Sequence, residues 1–124
     1  MTLLLIFLGA GTGGVLRYWV SNLVYWITGR QFPYGTLIVN ISGSFLMGLL
    51  FVLIIERFNG IGQPLRSLLL IGLLGGYTTF SSFSIETLNL LENGAWLSGL
   101  LNILSSVILC MLAVWFGVLL GRQL

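Results

Sequence analysis

The chain has 124 residues, of which 57% are apolar, and its formal charges come from five arginines and three glutamates, for a net charge of +2. Because soluble domains contain about 25% charged residues, the 6% found in this chain excludes a water-soluble globular domain and a disordered chain. The lack of histidine, aspartate and lysine excludes a histidine-based catalytic triad, a histidine–cysteine metal site and a phosphate-binding loop that needs lysine.

Four stretches of the chain carry almost no charge and are long enough to cross a membrane. A hydrocarbon core about 30 Å thick needs about 20 helical residues. The predicted transmembrane helices are residues 3–28, 35–55, 66–91 and 96–121. Pro33 and Pro64, the only prolines, and a polar turn at residues 56–62 fall between them. We therefore predict an all-α polytopic membrane protein whose residues 1–124 form a single four-helix transmembrane domain.

The first helix is expected to be retained, because it lacks a basic leader and because glycines and Arg17 interrupt its apolar run. The side of the membrane that holds the amino terminus also holds three further arginines, Arg57, Arg66 and Arg122. The opposite side holds Arg30. This small difference favours the amino-terminal side as cytoplasmic only weakly. The sequence therefore predicts a multi-pass protein of the cell (inner) membrane and leaves insertion in both orientations open.

Glycines recur at the four-residue spacing that lets membrane helices approach closely. Three such pairs are Gly9 with Gly13, Gly72 with Gly76, and Gly117 with Gly121. Two interpretations remain open at this point. The pairs either pack helices within one subunit or form the interface of a homodimer.

Four polar side chains from three predicted helices lie at similar depths toward the same side of the membrane. With a rise of about 1.5 Å per residue, Arg17 lies roughly 14 Å deep, Asn40 roughly 8 Å and Glu86 roughly 9 Å. Thr36 lies one turn nearer the surface than Asn40, on the same helix face. Polar groups inside a membrane are costly and indicate function, so the cluster predicts a vestibule. The structural alternative is an internal ion pair between Arg17 and Glu86.

Two helices carry polar stripes at four-residue spacing, so that the members of each stripe share one helix face. The stripe of the second helix is Thr36, Asn40, Ser44 and Gly48. The stripe of the fourth helix is Ser98, Asn102, Ser106 and Cys110, the only cysteine. In membranes such a stripe more often contacts another helix than a solute.

The third helix is predicted to be broken near residues 75–78. Adjacent Gly75 and Gly76 weaken a helix interior. Residues that favour helix starts and local backbone bonds follow at once: Thr78, Thr79, Ser81, Ser82 and Ser84. Lipid cannot satisfy the backbone groups that a break exposes, so the break must face protein, water or an ion. Phe80 and Phe83 then share one face, where they either pack normally or offer positive ring edges to an anion.

At these residues the sequence resembles the Fluc (CrcB) family of fluoride channels, and the likeness covers nearly the whole chain. GAGTGGVLRY at residues 9–18 is similar to a glycine-rich segment of the family that ends in Arg-Tyr. GTLIVNISGSFLMG at residues 35–48 is similar to the pattern of its second helix. GGYTTFSSFS at residues 75–84 is nearly the family signature and is the most specific of the three motifs.

The resemblance implies an antiparallel dual-topology homodimer with two parallel fluoride pathways, which would account for the weak arginine bias. It also implies a structural sodium ion at the dimer centre, held by the main-chain carbonyls of Gly75 and Thr78 from both subunits. The implied partners are fluoride, a second copy of the chain and membrane lipid. Nucleic acid is not among them, because the few positive charges form no patch.

The resemblance also implies roles for individual residues. The fluoride pathway would be formed by Phe80, Phe83, Asn40, Ser82 and Ser106. The polar network beside it would be Arg17, Thr36 and Glu86. The fourth helix departs from the family pattern, since Asn102 stands where many members have tyrosine and Cys110 where a small residue is usual. The contribution of the fourth helix to the pathway is therefore the least determined.

The resulting hypothesis is a passive, fluoride-selective channel, not an enzyme, that exports fluoride across the cell membrane and gives fluoride resistance. A second hypothesis is a small four-helix proton-coupled multidrug or cation exporter, for which Glu86 is the only embedded carboxylate. A third is an assembly subunit that transports nothing, which leaves the predicted break and the phenylalanine pair unexplained.

Overall fold

A computed structural model describes residues 1–57 and 62–124, so the predicted turn at residues 56–62 lies mostly outside the described residues. The described part is all-α, and four of its helical segments are long and apolar enough to cross a membrane. They are Thr2–Thr28, Tyr34–Arg57, Gly62–Glu92 and Trp96–Gln123. The four predicted spans are thus confirmed, with every boundary within four residues of its expected place.

The first helix, α1 (Thr2–Thr28), runs without interruption through its glycines. It ends because Gly29 adopts φ = 79°, a conformation that residues with side chains disfavour, while the Gly29 N–H donates to the Tyr25 carbonyl at 2.8 Å. Pro33 then precedes α2 (Tyr34–Phe51), at a position where a helix loses nothing by the missing N–H of proline. The short polar connection therefore reverses the chain between α1 and α2.

The third span consists of two helices. The first, α3, comprises Gly62–Leu65, the π-helical Arg66–Leu74 and Gly75–Tyr77. The second, α4, is Phe80–Glu92, and the last span is α5, Trp96–Gln123. Pro64 was expected between the spans but lies in the first turn of α3, which begins at Gly62 and not at residue 66. Proline is tolerated there because an N–H in the first turn has no helical partner. A π-helical segment, Val52–Arg57, likewise extends α2.

Glycines bring α1 and α3 almost into backbone contact. A Cβ atom on Gly13 would lie 2.1 Å from the Leu73 carbonyl oxygen, and one on Gly9 would lie 3.0 Å from the Cα atom of Gly72. A Cβ atom on Gly76 would approach the backbone of α1 within 2.4 Å. Any side chain at these positions would force the two helices apart.

The contact between α2 and α5 is equally close. A Cβ atom on Gly48 would lie 2.2 Å from the Val114 carbonyl oxygen, and one on Gly117 would lie 2.2 Å from the Phe45 carbonyl oxygen. Gly121 meets the end of α2 one turn further on. All three glycine pairs identified in the sequence therefore pack helices within one chain, which confirms the first of the two interpretations.

Polar contacts join the end of α2 to the end of α5. An Arg122 guanidinium nitrogen lies 3.7 Å from a Glu56 carboxylate oxygen, and Arg57 donates to the Arg122 carbonyl at 3.1 Å. Because all three side chains are exposed, these contacts add little stability. They do place the ends of the second and fourth spans on the same side, as alternating spans require.

Large apolar side chains cover the outside of the helix bundle. Phe7, Trp26 and Trp96 are 74%, 84% and 68% exposed. The buried apolar cluster, by contrast, is small and centres on Ile54, Leu70 and Leu74. An apolar surface of this extent is unfavourable in water and suits contact with lipid. The chain is accordingly a multi-pass membrane protein.

The close packing of α1 on α3 predicts different effects for two neighbouring substitutions. Gly13→Ala should lower the free energy of unfolding by about 1–3 kcal/mol, because the new methyl group would overlap the Leu73 carbonyl oxygen. Gly14→Ala adds the same group where nothing lies within 4 Å, so it should leave the free energy of unfolding unchanged or raise it by up to about 1 kcal/mol, because alanine favours a helix interior. Equilibrium unfolding in mixed detergent–SDS micelles measures both, and equal destabilisation would contradict the predicted contact.

Candidate ion pathway

The third span is interrupted at Thr78 and Thr79. Thr78 has φ = −82° and ψ = 158°, and Thr79 has φ = −152° and ψ = 116°, so both residues are extended. The helix before them ends at Tyr77 and the helix after them begins at Phe80. The predicted interruption is therefore present, but it lies at the carboxyl end of the expected interval, residues 75–78, and extends beyond it.

The two adjacent glycines do not form the break, and this part of the prediction was wrong. Gly75 and Gly76 lie in the last turn of α3. Gly76 is required instead by helix packing, since its Cβ atom would lie 2.4 Å from the Ala10 carbonyl oxygen. The break occurs where polar side chains replace the helical backbone partners, and those side chains come from α2 and from the break itself.

Asn40 on α2 holds the break through two hydrogen bonds to the backbone of Thr79. Its Nδ2 donates to the Thr79 carbonyl at 3.0 Å, and its Oδ1 accepts from the Thr79 N–H at 2.8 Å. A side-chain amide offers a donor and an acceptor side by side, as a peptide group does. Asn40 therefore replaces the backbone partners that Thr79 would have in a continuous helix.

The threonines of the break also complete the two helices that meet there. Thr79 Oγ1 accepts from the Ser82 N–H at 3.1 Å, which caps the amino terminus of α4. The Thr78 N–H and hydroxyl donate to the Leu74 carbonyl at 3.0 and 2.9 Å, which closes the last turn of α3. The hydroxyl-rich run found in the sequence thus supplies local partners for both helix ends.

A groove of about 460 Å³ lies against the break, and we call it the aromatic groove. Four of the residues assigned to the fluoride pathway line it: Asn40, Phe80, Phe83 and Ser106. Thr78, Thr79 and Cys110 line it as well. The rings of Phe80 and Phe83 stand 5.3 Å apart between centroids, with 45° between their planes. The groove therefore combines two aromatic rings with hydroxyl and amide groups.

A second cavity, of about 790 Å³, is lined by charged and polar groups, and we call it the polar vestibule. The predicted site residues in its wall are Arg17, Thr36, Ser82 and Glu86. Arg17, Thr36 and Glu86 come from three different spans and meet in this wall, as their similar depths predicted. Asn40 is absent from the vestibule wall described here and lies in the aromatic groove instead. Thr79 belongs to the walls of both cavities, so the two meet at the break.

Hydroxyl groups, and not Arg17, bind the carboxylate of Glu86. The Thr36 hydroxyl donates to Glu86 Oε1, and the Tyr25 hydroxyl donates to Glu86 Oε2 at 2.9 Å. In the described part of the chain Arg17 forms no ion pair with a carboxylate. The alternative of an internal Arg17–Glu86 ion pair was therefore wrong, and the two carboxylate oxygens instead accept hydrogen bonds from two neutral donors.

Tyr25 is a site residue that the sequence analysis missed. Its hydroxyl reaches Glu86, and its side chain lines the vestibule together with Ser21 and Arg17. Arg17, Ser21 and Tyr25 follow one another at four-residue spacing and therefore share one face of α1. The spacing that revealed the stripes on the second and fourth helices could also have revealed this one.

Asn102 faces α4 and not the aromatic groove. It is 2% exposed, and its Nδ2 donates to Thr87 Oγ1 at 2.8 Å. The Thr87 hydroxyl in turn donates to the Phe83 carbonyl at 2.7 Å. The Ser106 hydroxyl donates to Asn102 Oδ1 at 3.5 Å. Asn102 therefore connects a groove-lining hydroxyl to the helix that carries the phenylalanine pair, and Thr87 is a second residue that the sequence analysis missed.

The two bonds from Asn40 predict that the break depends on this side chain. Asn40→Ala should lower the free energy of unfolding by about 1–3 kcal/mol, because it leaves the Thr79 N–H and carbonyl without these partners. Ser44→Ala lies one turn further along the same groove wall and should change the free energy of unfolding by no more than about 0.5 kcal/mol. Unfolding of the purified variants in micelles measures the difference, and a tolerated Asn40→Ala would disprove the clamp.

Comparison with known proteins identifies a matching family model and several similar proteins. The sequence model of the family described as "CrcB-like protein, Camphor Resistance (CrcB)" matches residues 4–118. A Coxiella burnetii protein named fluoride-specific ion channel FluC is 65% identical over 124 residues, which is 100% of both chains.

Two further proteins bear the same name. The one from Magnetococcus marinus is 54% identical over 115 residues, which cover 93% of each chain. The one from Geobacter sulfurreducens is 47% identical over 123 residues, which cover 99% of this chain and 98% of the other. Because the family match includes the break, both cavities and nearly all of every span, the chain belongs to the CrcB family.

Proposed function

We propose that this chain forms a passive, fluoride-selective ion channel of the cell (inner) membrane. Relatives up to 65% identical are named fluoride-specific ion channels, and the chain belongs to the same family. The observation that carries the proposal is the interrupted third span, whose Thr79 borders both the polar vestibule and the aromatic groove. This function is transport down a gradient and not enzymatic catalysis.

The aromatic groove supplies contacts that suit a small anion. Fluoride holds its water tightly, so a pathway has to replace that water without trapping the ion. We infer that the Ser106 hydroxyl and the positive edges of Phe80 and Phe83 act as such weak partners. Among the described residues that line the groove, none carries a charge, so no strong countercharge would hold the ion in place.

The polar vestibule would admit the anion before it reaches the break. Arg17 supplies positive charge inside the membrane, where an ionisable residue indicates function. Thr36 and Glu86 form a hydrogen-bonded network in the same wall, and Ser82 adds a hydroxyl next to the break. We infer that fluoride passes Arg17 and Ser82 on its way to the groove.

We further propose that two copies assemble antiparallel into a dual-topology homodimer with two pathways. Phe80 is 77% exposed on the single chain although it directly follows the break. A second copy seated there would cover the ring and complete the wall of the groove, which lipid chains would otherwise enter. The small difference in arginine count between the two membrane sides, three against one, fits insertion in both orientations.

The proposal includes a structural sodium ion at the dimer centre. The main-chain carbonyls of Gly75 and Thr78 from both copies would hold it. In a continuous helix these carbonyls would accept from the N–H groups of Thr79 and Ser82. Those N–H groups instead donate to Asn40 Oδ1 at 2.8 Å and to Thr79 Oγ1 at 3.1 Å. Carbonyl oxygens suit a hard cation, so the residues fit the ion. When bound, it would join the two breaks electrostatically.

Export follows from the membrane potential if the channel is passive. A negative cell interior drives anions outward by about 2.3 kcal/mol per charge for each 100 mV. Hydrogen fluoride that enters by diffusion and dissociates inside would leave through such a channel as fluoride. The physiological role would therefore be fluoride resistance, with no coupling to ATP or protons.

Efflux from liposomes tests the proposed function. The purified wild type should release fluoride and retain chloride when an ionophore balances the charge, as ion-selective electrodes record. Phe83→Ile should slow fluoride release at least about tenfold, because isoleucine has no ring edge to offer the anion. Phe51→Ile alters an exposed ring outside both cavities and should keep the wild-type rate.

Equal release of the two halides would contradict selectivity, and release of neither would contradict a channel. Glu86→Gln separates the channel from a proton-coupled exporter, since only the exporter needs a titrating carboxylate. Fluoride release that persists in this variant supports the channel, whereas loss of a proton-driven cation flux would support the exporter. Labelling of both termini in intact cells from one side only would contradict the dual topology.

A further inference from the structure

Arg30 lies in the connection between α1 and α2, where two contacts fix its guanidinium group. Its Nη2 donates to Asn22 Oδ1 at 3.1 Å, and its guanidinium carbon lies 4.7 Å from the centre of the Tyr25 ring. A cation over an aromatic ring is attracted by the face of that ring. Arg30 is exposed and yet belongs to the wall of the polar vestibule. It is therefore a charge held at the outer end of that cavity.

Tyr25 connects this outer charge to the polar network deeper in the vestibule. The Arg30 guanidinium lies over its ring, and its hydroxyl donates to Glu86 at 2.9 Å. A third cavity, of about 250 Å³, shares Tyr25, Arg30 and Glu86 with the vestibule and adds Asn89 and Asn93 to its polar wall. Arg30 thus stands where two cavities meet.

The vestibule carries an excess of positive charge. Its charged lining residues in the described part of the chain are Arg17, Arg30 and Glu86. Hydroxyl groups of Tyr25 and Thr36 already bind the Glu86 carboxylate, and neither arginine forms an ion pair with it. A cleft of one dominant sign with walls of low dielectric concentrates counter-ions within it.

We propose that Arg30 is a capture residue that raises the local concentration of small anions at the outer end of the vestibule. The inference rests on the channel function proposed above and adds a step that precedes passage by Arg17. Because Arg30 is exposed, it acts through long-range attraction, which extends about 30 Å at 0.01 M salt and about 3 Å at 1 M. Capture should therefore change the fluoride concentration needed for half-maximal flux, but not the maximal rate at the break.

Liposome efflux at two ionic strengths tests the proposal with three variants: Arg30→Gln, Arg30→Lys and Arg57→Gln. An impermeant salt sets the ionic strength to about 10 mM or about 500 mM, and initial rates are recorded over a range of fluoride concentrations. At low ionic strength Arg30→Gln should raise the half-saturating concentration about two- to fivefold with an unchanged maximal rate. At high ionic strength the difference should fall below about 1.5-fold.

The other two variants are matched controls. Arg30→Lys keeps the charge and should behave like the wild type to within about twofold at both ionic strengths. Arg57→Gln removes an exposed arginine at the far end of the second span and should have no effect on half-saturation.

Three results would overturn capture by Arg30. They are no change in Arg30→Gln at low ionic strength, a defect that persists at high ionic strength, and an equal defect in Arg57→Gln. A persistent defect would assign Arg30 a purely structural role through Tyr25, and an equal defect would indicate general surface charge. Failure of the channel proposal is distinguishable, because the wild type itself would then release no fluoride.

Discussion

An interrupted helix inside a membrane needs partners for its backbone, and Asn40 supplies two of them to Thr79. Lipid offers no hydrogen bonds, so a backbone group left without a partner inside the membrane is costly. The bonds of 3.0 and 2.8 Å from the Asn40 amide remove this cost at the centre of the interruption. The remaining chemistry depends on this contact, because the extended backbone brings Phe80 and Ser82 to the places where they line the two cavities.

Two kinds of contact hold the bundle around the break. Glycines let α1 pack on α3 and α2 pack on α5 with their backbones almost in contact. Side-chain hydrogen bonds hold α4 instead, from Thr36 to Glu86 on one side and from Asn102 to Thr87 on the other. Such bonds gain strength where water is excluded. The helix after the break, α4, is thus positioned by polar groups, whereas the α1–α3 and α2–α5 pairs are positioned by packing.

Features that depend only on composition and spacing could be predicted from the sequence. The four spans follow from apolar runs, because a membrane helix needs about 20 such residues whatever its neighbours are. The grouping of Arg17 and Glu86 follows from depth along straight helices. Side-chain partners could not be predicted, because they depend on how the helices are rotated against one another. Tyr25, and not Arg17, is therefore the partner of Glu86. The break lies at Thr78 and Thr79, and not at the two glycines before them.

Solid-state NMR of labelled protein in lipid bilayers tests the interrupted third span most directly. The ¹³C shifts of Cα and Cβ report backbone φ and ψ at each residue. Extended-type shifts at Thr78 and Thr79, between helical shifts at Tyr77 and Phe80, are the result that the described geometry predicts. Helical shifts at all four residues would contradict it, since a continuous helix would leave Asn40 without the backbone groups it binds and the two cavities without their shared wall.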